Sequence, residues 1–247
     1  MSENKIRLEP LGGGMEVFVS SNHSFGTDTV ILAAFSLPKA GERACDLGTG
    51  CGTIPLIWCR NLSLSHIAAV DISTEASLLL NRSVAKNGLQ DTITVLNCDL
   101  RHLNKVLAKS SYDIVVCNPP YKAAGAGLEN PIYEQTVARH EAECSLDDIV
   151  SCAAALLRFG GRFCICQRPE RLCDVMETMR RHSIEPKRLR LVQQRPNKAP
   201  KLFLLEGRRG GKKGGLVCEP VLMIEDGSGG FSEEMLQIYG SYKDGHL

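Results

Sequence analysis

The sequence predicts an α/β fold: a doubly wound, mainly parallel sheet with helices on both faces and an antiparallel strand near its C-terminal end. Apolar runs recur around Arg43–Leu47, His66–Val70, Thr92–Leu96, Tyr112–Cys117 and Arg162–Gln167. Such near-continuous hydrophobicity marks strands buried on both faces. Stretches of helical periodicity separate them, so strand and helix alternate over most of the length. Two further strand-like runs, near 187–194 and 201–206, are joined through Pro196 and Pro200, which suggests an antiparallel pair.

A chain of 247 residues is long enough to bury a substantial core and is expected to form one domain. Within it, residues 1–40 read as an N-terminal hairpin and helix, 41–207 as the core, and 208–247 as a basic loop and tail. The formal charge is only +1. No apolar run reaches bilayer length, and the polar Met1–Lys5 start leads into no signal peptide. The 11 cysteines are scattered through apolar runs without C-x-x-C or zinc-finger spacing. They are expected to be core thiols of a protein in the reducing cytoplasm, with no metal and no membrane contact. A monomer is expected.

Taken in order, Met15–Val19 alternates after a glycine turn, which suggests a short hairpin. Thr27 or Asp28 reads as the N-cap of a helix through Phe35. A helix from Thr53 to Arg60 carries Pro55 in its first turn, where the missing N–H costs little. Ser73 caps the next helix, which ends in Lys86-Asn87-Gly88. Residues 101–108 read as a short helix, and 122–144 as a long loop. Ser145-Leu-Asp-Asp148 has capping-box form and opens another helix. Gly160-Gly161 turns into the fifth strand, and 170–182 is helical.

The chemistry concentrates where strands end. Asp46-Leu47-Gly48-Thr49-Gly50-Cys51-Gly52 follows the first sheet strand directly and opens a helix. Glycines there permit positive φ and close approach of a ligand. The spacing G-x-G-x-G is not the dinucleotide fingerprint G-x-G-x-x-G. The carboxylate two residues ahead of the first glycine suits the ammonium and sulfonium end of S-adenosylmethionine better than a pyrophosphate. Asp71, about 25 residues further on and followed by Ile72, can accept from ribose hydroxyls. Asp99 ends the third strand and could reach the adenine. Asp46, Gly48, Thr49, Gly50, Gly52, Asp71, Ile72 and Asp99 are therefore the cofactor candidates.

Asn118-Pro119-Pro120-Tyr121 ends the fourth strand. Prolines remove competing N–H donors and hold the preceding residues extended. The turn thus offers carbonyl acceptors and a flat ring. That set suits an amino group conjugated to a π system, such as adenine N6 or a glutamine amide. Acceptors on both N–H bonds favour a tetrahedral nitrogen and stabilise the positive charge it gains on attack. These residues alone do not choose between the two acceptors.

Together the two motifs, about 70 residues apart, resemble a class I S-adenosylmethionine-dependent methyltransferase with the NPPY motif of amino-group methylation. That resemblance covers about residues 20–207 and implies a seven-stranded Rossmann-like sheet. It also implies that Asn118 and the Pro119 carbonyl hold the target nitrogen while Tyr121 stacks on it. More narrowly, Phe25-Gly-Thr-Asp-Thr29, Lys122 after the motif, Ala138-Arg-His-Glu141 and Leu202-Phe-Leu-Leu-Glu-Gly207 resemble the tRNA1(Val) adenine-N6 methyltransferase group. In that group the segment around Asp28 lies over the cofactor, so Asp28 and Thr29 become secondary cofactor candidates, and Asn118 is counted as a cofactor contact as well as a catalytic residue. A related group methylates a release-factor glutamine but carries an N-terminal helical domain, whereas about 45 residues precede the first sheet strand here.

From Arg180 to Lys213 there are twelve basic residues, with only Glu185 and Glu206 against them. That excess has the character of a phosphate-backbone footprint, so a tRNA partner is expected. Lys122, Arg195, Lys198, Lys201, Arg208, Arg209, Lys212 and Lys213 are the RNA-binding candidates. Gly207–Gly215 reads as a mobile basic loop.

Overall fold

The structure is a computed structural model that describes residues 5–60, 62–120 and 144–240. Its element order is β1 (Arg7–Gly12), β2 (Met15–Val19), α1 (Thr27–Phe35), β3 (Arg43–Leu47), α2 (Thr53–Trp58), β4 (His66–Asp71), α3 (Thr74–Lys86), β5 (Ile93–Asn97), β6 (Tyr112–Cys117), α4 (Leu146–Leu156), β7 (Leu157–Gln167), α5 (Leu172–Arg181), β8 (Ile184–Gln193), β9 (Leu202–Arg209), β10 (Val217–Cys218), β11 (Leu222–Met223) and α6 (Glu233–Tyr239). The expected helix near 101–108 is a 3-10 helix, Leu100–Lys105.

The main sheet runs β10-β8-β9-β7-β6-β3-β4-β5, with β11 also on β8. β9 is antiparallel to both β7 and β8, and the other pairs are parallel. Among the described residues this sheet holds seven longer strands, β3 to β9, and two short ones. The two additions are the two-residue strands β10 and β11, whose backbone groups continue past the edge of β8.

Period-two alternation assigns the strand side chains to two cores. Ala44, Ile114, Val116, Cys164 and Cys166 face one side with Val30, Trp58, Leu80, Met235 and Tyr239 of α1, α2, α3 and α6. Cys45, Leu47, Val115, Cys117, Phe163 and Ile165 face the other with Ile149 and Ala153 of α4 and Val175 and Met179 of α5. All eleven cysteines are free thiols. Among the described residues, no helix is long and apolar enough to cross a membrane.

Local chemistry explains the joints. Ser145 and Asp148 form the expected capping box, and the Ser73 hydroxyl accepts from Ala76 N. The N-terminal hairpin is a separate two-stranded sheet. It is tied to α3, where Phe18 N donates to Ser83 Oγ at 2.9 Å and Asn87 Nδ2 donates to Glu16 O at 2.7 Å. The C-terminal tail, about which composition says little, is structured as far as α6. Ser232 caps α6, and Met235 and Tyr239 sit in the first core.

Candidate active site

From β3 the chain proceeds outward to β4 and β5, then returns to place β6 on the other side of β3. The crevice above the carboxyl ends of β3 and β6 is therefore a topological switch point, where open α/β sheets bind ligands. The glycine loop lies on one side of it and Asn118 on the other. Here the edge carrying the carboxyl ends of the parallel strands is called the upper edge.

Gly48, Gly50 and Gly52 have φ of +70°, +57° and +87°, a region side chains disfavour. A Cβ at Gly48 or Gly50 would meet no atom within 4 Å, so the loop presents open backbone. At Gly52 it would lie 2.1 Å from Leu80 Cδ1, so that glycine lets the loop pack on α3. Gly48 N and Thr49 N both donate to Val70 O at 2.9 Å, fixing the loop to β4.

Asp46 is buried, at 1% exposure. Its Oδ2 accepts from Thr49 Oγ1 at 2.7 Å, while its Oδ1 is buried with no partner. Burial pushes the carboxyl up to about 7; the Thr49 hydroxyl opposes the shift and Asp71 adds to it. An unsatisfied buried acceptor costs about 1–3 kcal/mol, and an ammonium would satisfy it. Asp71 is held by Gly50 N, which donates to Oδ2 at 2.7 Å, and by Ser73 N, which donates to Oδ1 at 2.8 Å. Carboxylate oxygens have further lone pairs, so a pair of ribose hydroxyls can still be accepted. Ile72 beside it is 53% exposed, an apolar surface for a purine. Open glycine backbone, an orphaned buried acid and a fixed strand-end acid together fit S-adenosylmethionine.

Asp99 stands just after the carboxyl end of β5, as expected, and also has a local partner. Arg101 N and its guanidinium fill both carboxylate oxygens, and Asp99 caps the 3-10 helix. The Arg101 hydrogen bond, with its charge, holds the Asp99 carboxyl below the usual range. The structure therefore gives Asp99 a role as the cap of the 3-10 helix at the end of β5, in addition to the adenine contact expected of it.

Asp28 also departs from the cap reading. Gly26 is the N-cap of α1, with no side-chain cap bond, and Asp28 reaches across to the motif. Asn118 Nδ2 donates to Asp28 Oδ2 at 3.0 Å and to Thr29 Oγ1 at 3.2 Å. A carboxylate only accepts, so it selects the NH2 side of the amide and turns the amide oxygen to the opposite side. Thr27 Oγ1 lies 3.0 Å from Tyr239 Oη, which ties the same turn of α1 to α6. Pro119 and Pro120 follow, half-buried and exposed. Tyr121, Lys122 and the Ala138–Glu141 element lie outside the described residues.

The methyltransferase small domain family model matches residues 14–181. The chain belongs to that family. It is an S-adenosylmethionine-dependent methyltransferase. The tRNA1(Val) (adenine(37)-N6)-methyltransferase of Parabacteroides distasonis is 30% identical over 181 residues, covering 73% of this chain and 75% of the relative. That of Erwinia tasmaniensis is 29% identical over 170 residues, covering 67% and 68%. Among solved structures, a protein from Agrobacterium tumefaciens described as a predicted O-methyltransferase superposes with a TM-score of 0.68. It is 20% identical and covers 86% of this chain and 95% of its own. Geranyl diphosphate C-methyltransferase from Streptomyces coelicolor, solved with S-adenosyl-L-homocysteine, gives 0.55 at 13% identity and 73% and 78% coverage. Those two likenesses speak for the fold.

The basic residues of this methyltransferase divide between the two edges of the sheet. Arg195, Lys198 and Lys201 lie in the β8–β9 connection at the upper edge. Arg208 and Arg209 belong to β9 itself rather than to a loop; Arg208 pairs with Arg162 of β7 and Glu185 of β8, and Arg209 with Ile184 at the start of β8. Seven residues of strand at about 3.3 Å each put them roughly 23 Å from the upper edge, and Lys212 and Lys213 follow them. The turn after β9 is held: Lys187 Nζ donates to Lys212 O and Gly214 O, and Gly214 N donates to Glu185 Oε1. Arg209 donates to Ala154 O, His182 O and Ser183 O.

Nor are two glutamates the only opposition to the run. Arg181 pairs with Asp147, Arg188 with Glu206 and Glu219, Arg190 with Glu234, and Arg195 with Glu225. Most of these acids come from the C-terminal tail, so folding neutralises much of the local excess. Arg168 went unnoticed in the sequence. It stands directly after β7 at the upper edge, and its Nε is buried with no partner. A lone arginine between a strand and Pro169 is the only sequence signal it gives.

Proposed function

We propose that this methyltransferase transfers a methyl group to N6 of an adenine in tRNA, the adenine beside the anticodon of tRNA1(Val) being the favoured target. The observation that carries the reading is Asn118, held by Asp28 and Thr29 across the crevice from the glycine loop. Relatives named for N6 methylation of adenine 37 in tRNA1(Val) support the acceptor. Asp46, the glycine loop and Asp71 would hold S-adenosylmethionine, whose sulfonium supplies an electrophilic methyl group. The Asn118 amide oxygen and the Pro119 carbonyl accept from the two N6–H bonds. That contact orients the nitrogen lone pair away from the ring plane and stabilises its developing positive charge. No base is required before attack, since the proton leaves a nitrogen that is already cationic. The adenine must leave its stack to reach the crevice, costing a few kcal/mol, and a ring at Tyr121 would return about 1–3 kcal/mol by stacking.

The test is incubation with labelled S-adenosylmethionine and unmodified total tRNA, followed by nucleoside analysis. N6-methyladenosine is expected. Label in a release-factor glutamine with none in tRNA would replace this reading.

A further inference from the structure

We propose that Arg168, flanked by Lys198 and Lys201, forms a phosphate-binding subsite for the RNA strand that carries the target base. The inference rests on the tRNA reading above and adds to it the residues that grip the substrate backbone.

Sheet register places Arg168 beside the acceptor motif. Cys117 pairs with Ile165 in the parallel β6–β7 ladder, so three residues on, Arg168 stands level with Pro120. Gln167 pairs with Phe203 across the antiparallel β7–β9 ladder. One and two steps further bring Leu202 beside Arg168 and Lys201 beside Pro169. Lys201 N donates to Val192 O at 2.9 Å and Lys198 N to Arg195 O at 3.1 Å, which pins the backbone of both lysines. Arg168 thus adjoins Asn118-Pro-Pro on the side away from β3 and β4, with Lys201 before the next strand beyond it and Lys198 in the connection leading to that strand.

The charge state of this group differs from that of its neighbours. Arg190 and Arg195 of the same region are neutralised by Glu234 and Glu225. Among the described residues, exposed Lys198 and Lys201 form no ion pair, and the buried Arg168 Nε–H has no acceptor. A guanidinium offers a planar fork of donors that matches a phosphate. Of the acids at this edge, Asp46 and Asp71 sit on β3 and β4 with β6 between them and Arg168, Asp28 is bonded to Asn118 and Glu225 to Arg195. The upper edge is therefore acidic where a cationic cofactor fits and basic where a polyanion would lie. A strand laid over the ends of β6, β7 and β9 would turn its base into the crevice and its phosphates toward Arg168.

The test compares the full-length wild type with Arg168→Met and Arg168→Lys. It uses unmodified total tRNA at several salt concentrations, S-adenosylmethionine calorimetry and thermal unfolding. Arg168→Met is expected to raise KM for tRNA roughly ten-fold and to lower the log–log salt slope by about 1. Cofactor affinity should be unchanged, and Arg168→Lys should restore most of the slope, because it keeps the charge. If wild type methylates tRNA and both variants match it in KM and slope, Arg168 makes no phosphate contact. A fall in cofactor affinity would assign Arg168 to the cofactor instead. A wild type that methylates protein and no tRNA overturns the tRNA reading itself, and the subsite with it.

Discussion

The crevice at the upper edge and the cavity at the lower edge treat charge in opposite ways. Around the lower edge a cavity of about 450 Å³ is lined by Arg158, Arg162, Arg188, Glu42, Asp113 and Glu206, among others. Those guanidiniums are matched: Arg158 to Asp113, Arg162 to Glu42 and Glu206, Arg188 to Glu206 and Glu219. Arg188 also lies over the Phe35 ring and donates to Phe35 O at 2.7 Å. At the upper edge, Asp46 Oδ1 and Arg168 Nε are buried with no partner, and at the lower edge His66 Nδ1, at the start of β4, is too. Buried polar atoms are normally satisfied. The difference separates charges that hold the fold together from charges kept for ligands.

If the division holds, a change at one edge should cost chemistry and a change at the other should cost stability. The largest effect is expected at Asn118. Asn118→Ala should lower turnover by ~10²-fold or more, by analogy with the loss of an oxyanion-hole donor, while calorimetry finds cofactor binding intact. Glu206→Gln comes next. A broken buried ion pair costs about 3–5 kcal/mol, but Glu42 and Glu219 remain for the two arginines, so ~2 kcal/mol in denaturant unfolding is expected.

The smallest effect concerns pH. The folded Asp46 carboxyl holds its proton to about 7, against 3.8 ordinarily. Between those values the folded state binds more protons than the unfolded state. This group's contribution to stability is therefore full below the lower value and lost as pH rises through the upper one. A cofactor ammonium favours the carboxylate, so S-adenosylmethionine should bind tighter as pH rises from about 6 to about 8, by at most about tenfold per unit. Asp46→Asn should abolish that dependence. A flat profile in the wild type would mean that Asp46 does not face the ammonium.

What the sequence made legible was local. A glycine loop directly after a strand, a Pro-Pro turn after another and the Ser145 capping box each act within a few residues, and the structure places each at the joint expected. What it hid was pairing at a distance. Asp28 looked like a cap because Thr-Asp precedes an apolar run, yet its partner is Asn118, 90 residues away. The cations of 180–213 looked unopposed because Glu219, Glu225 and Glu234 lie beyond them in sequence. Asp99 shows the converse: a strand-end acid read only as a ligand contact also binds its own neighbour, Arg101. The α6 helix had a usable signal in Ser232 ahead of Met235 and Tyr239, a cap before an i, i+4 apolar pair.

The division between the edges is tested most directly by measuring Asn118→Ala and Glu206→Gln side by side, each for single-turnover methylation of unmodified tRNA and for denaturant midpoint. The expected result is a crossed one: Asn118→Ala loses the methylation rate and keeps its midpoint, while Glu206→Gln loses midpoint and keeps the rate. Equal losses of rate in both variants, or an Asn118→Ala enzyme that methylates at the wild-type rate, would contradict it.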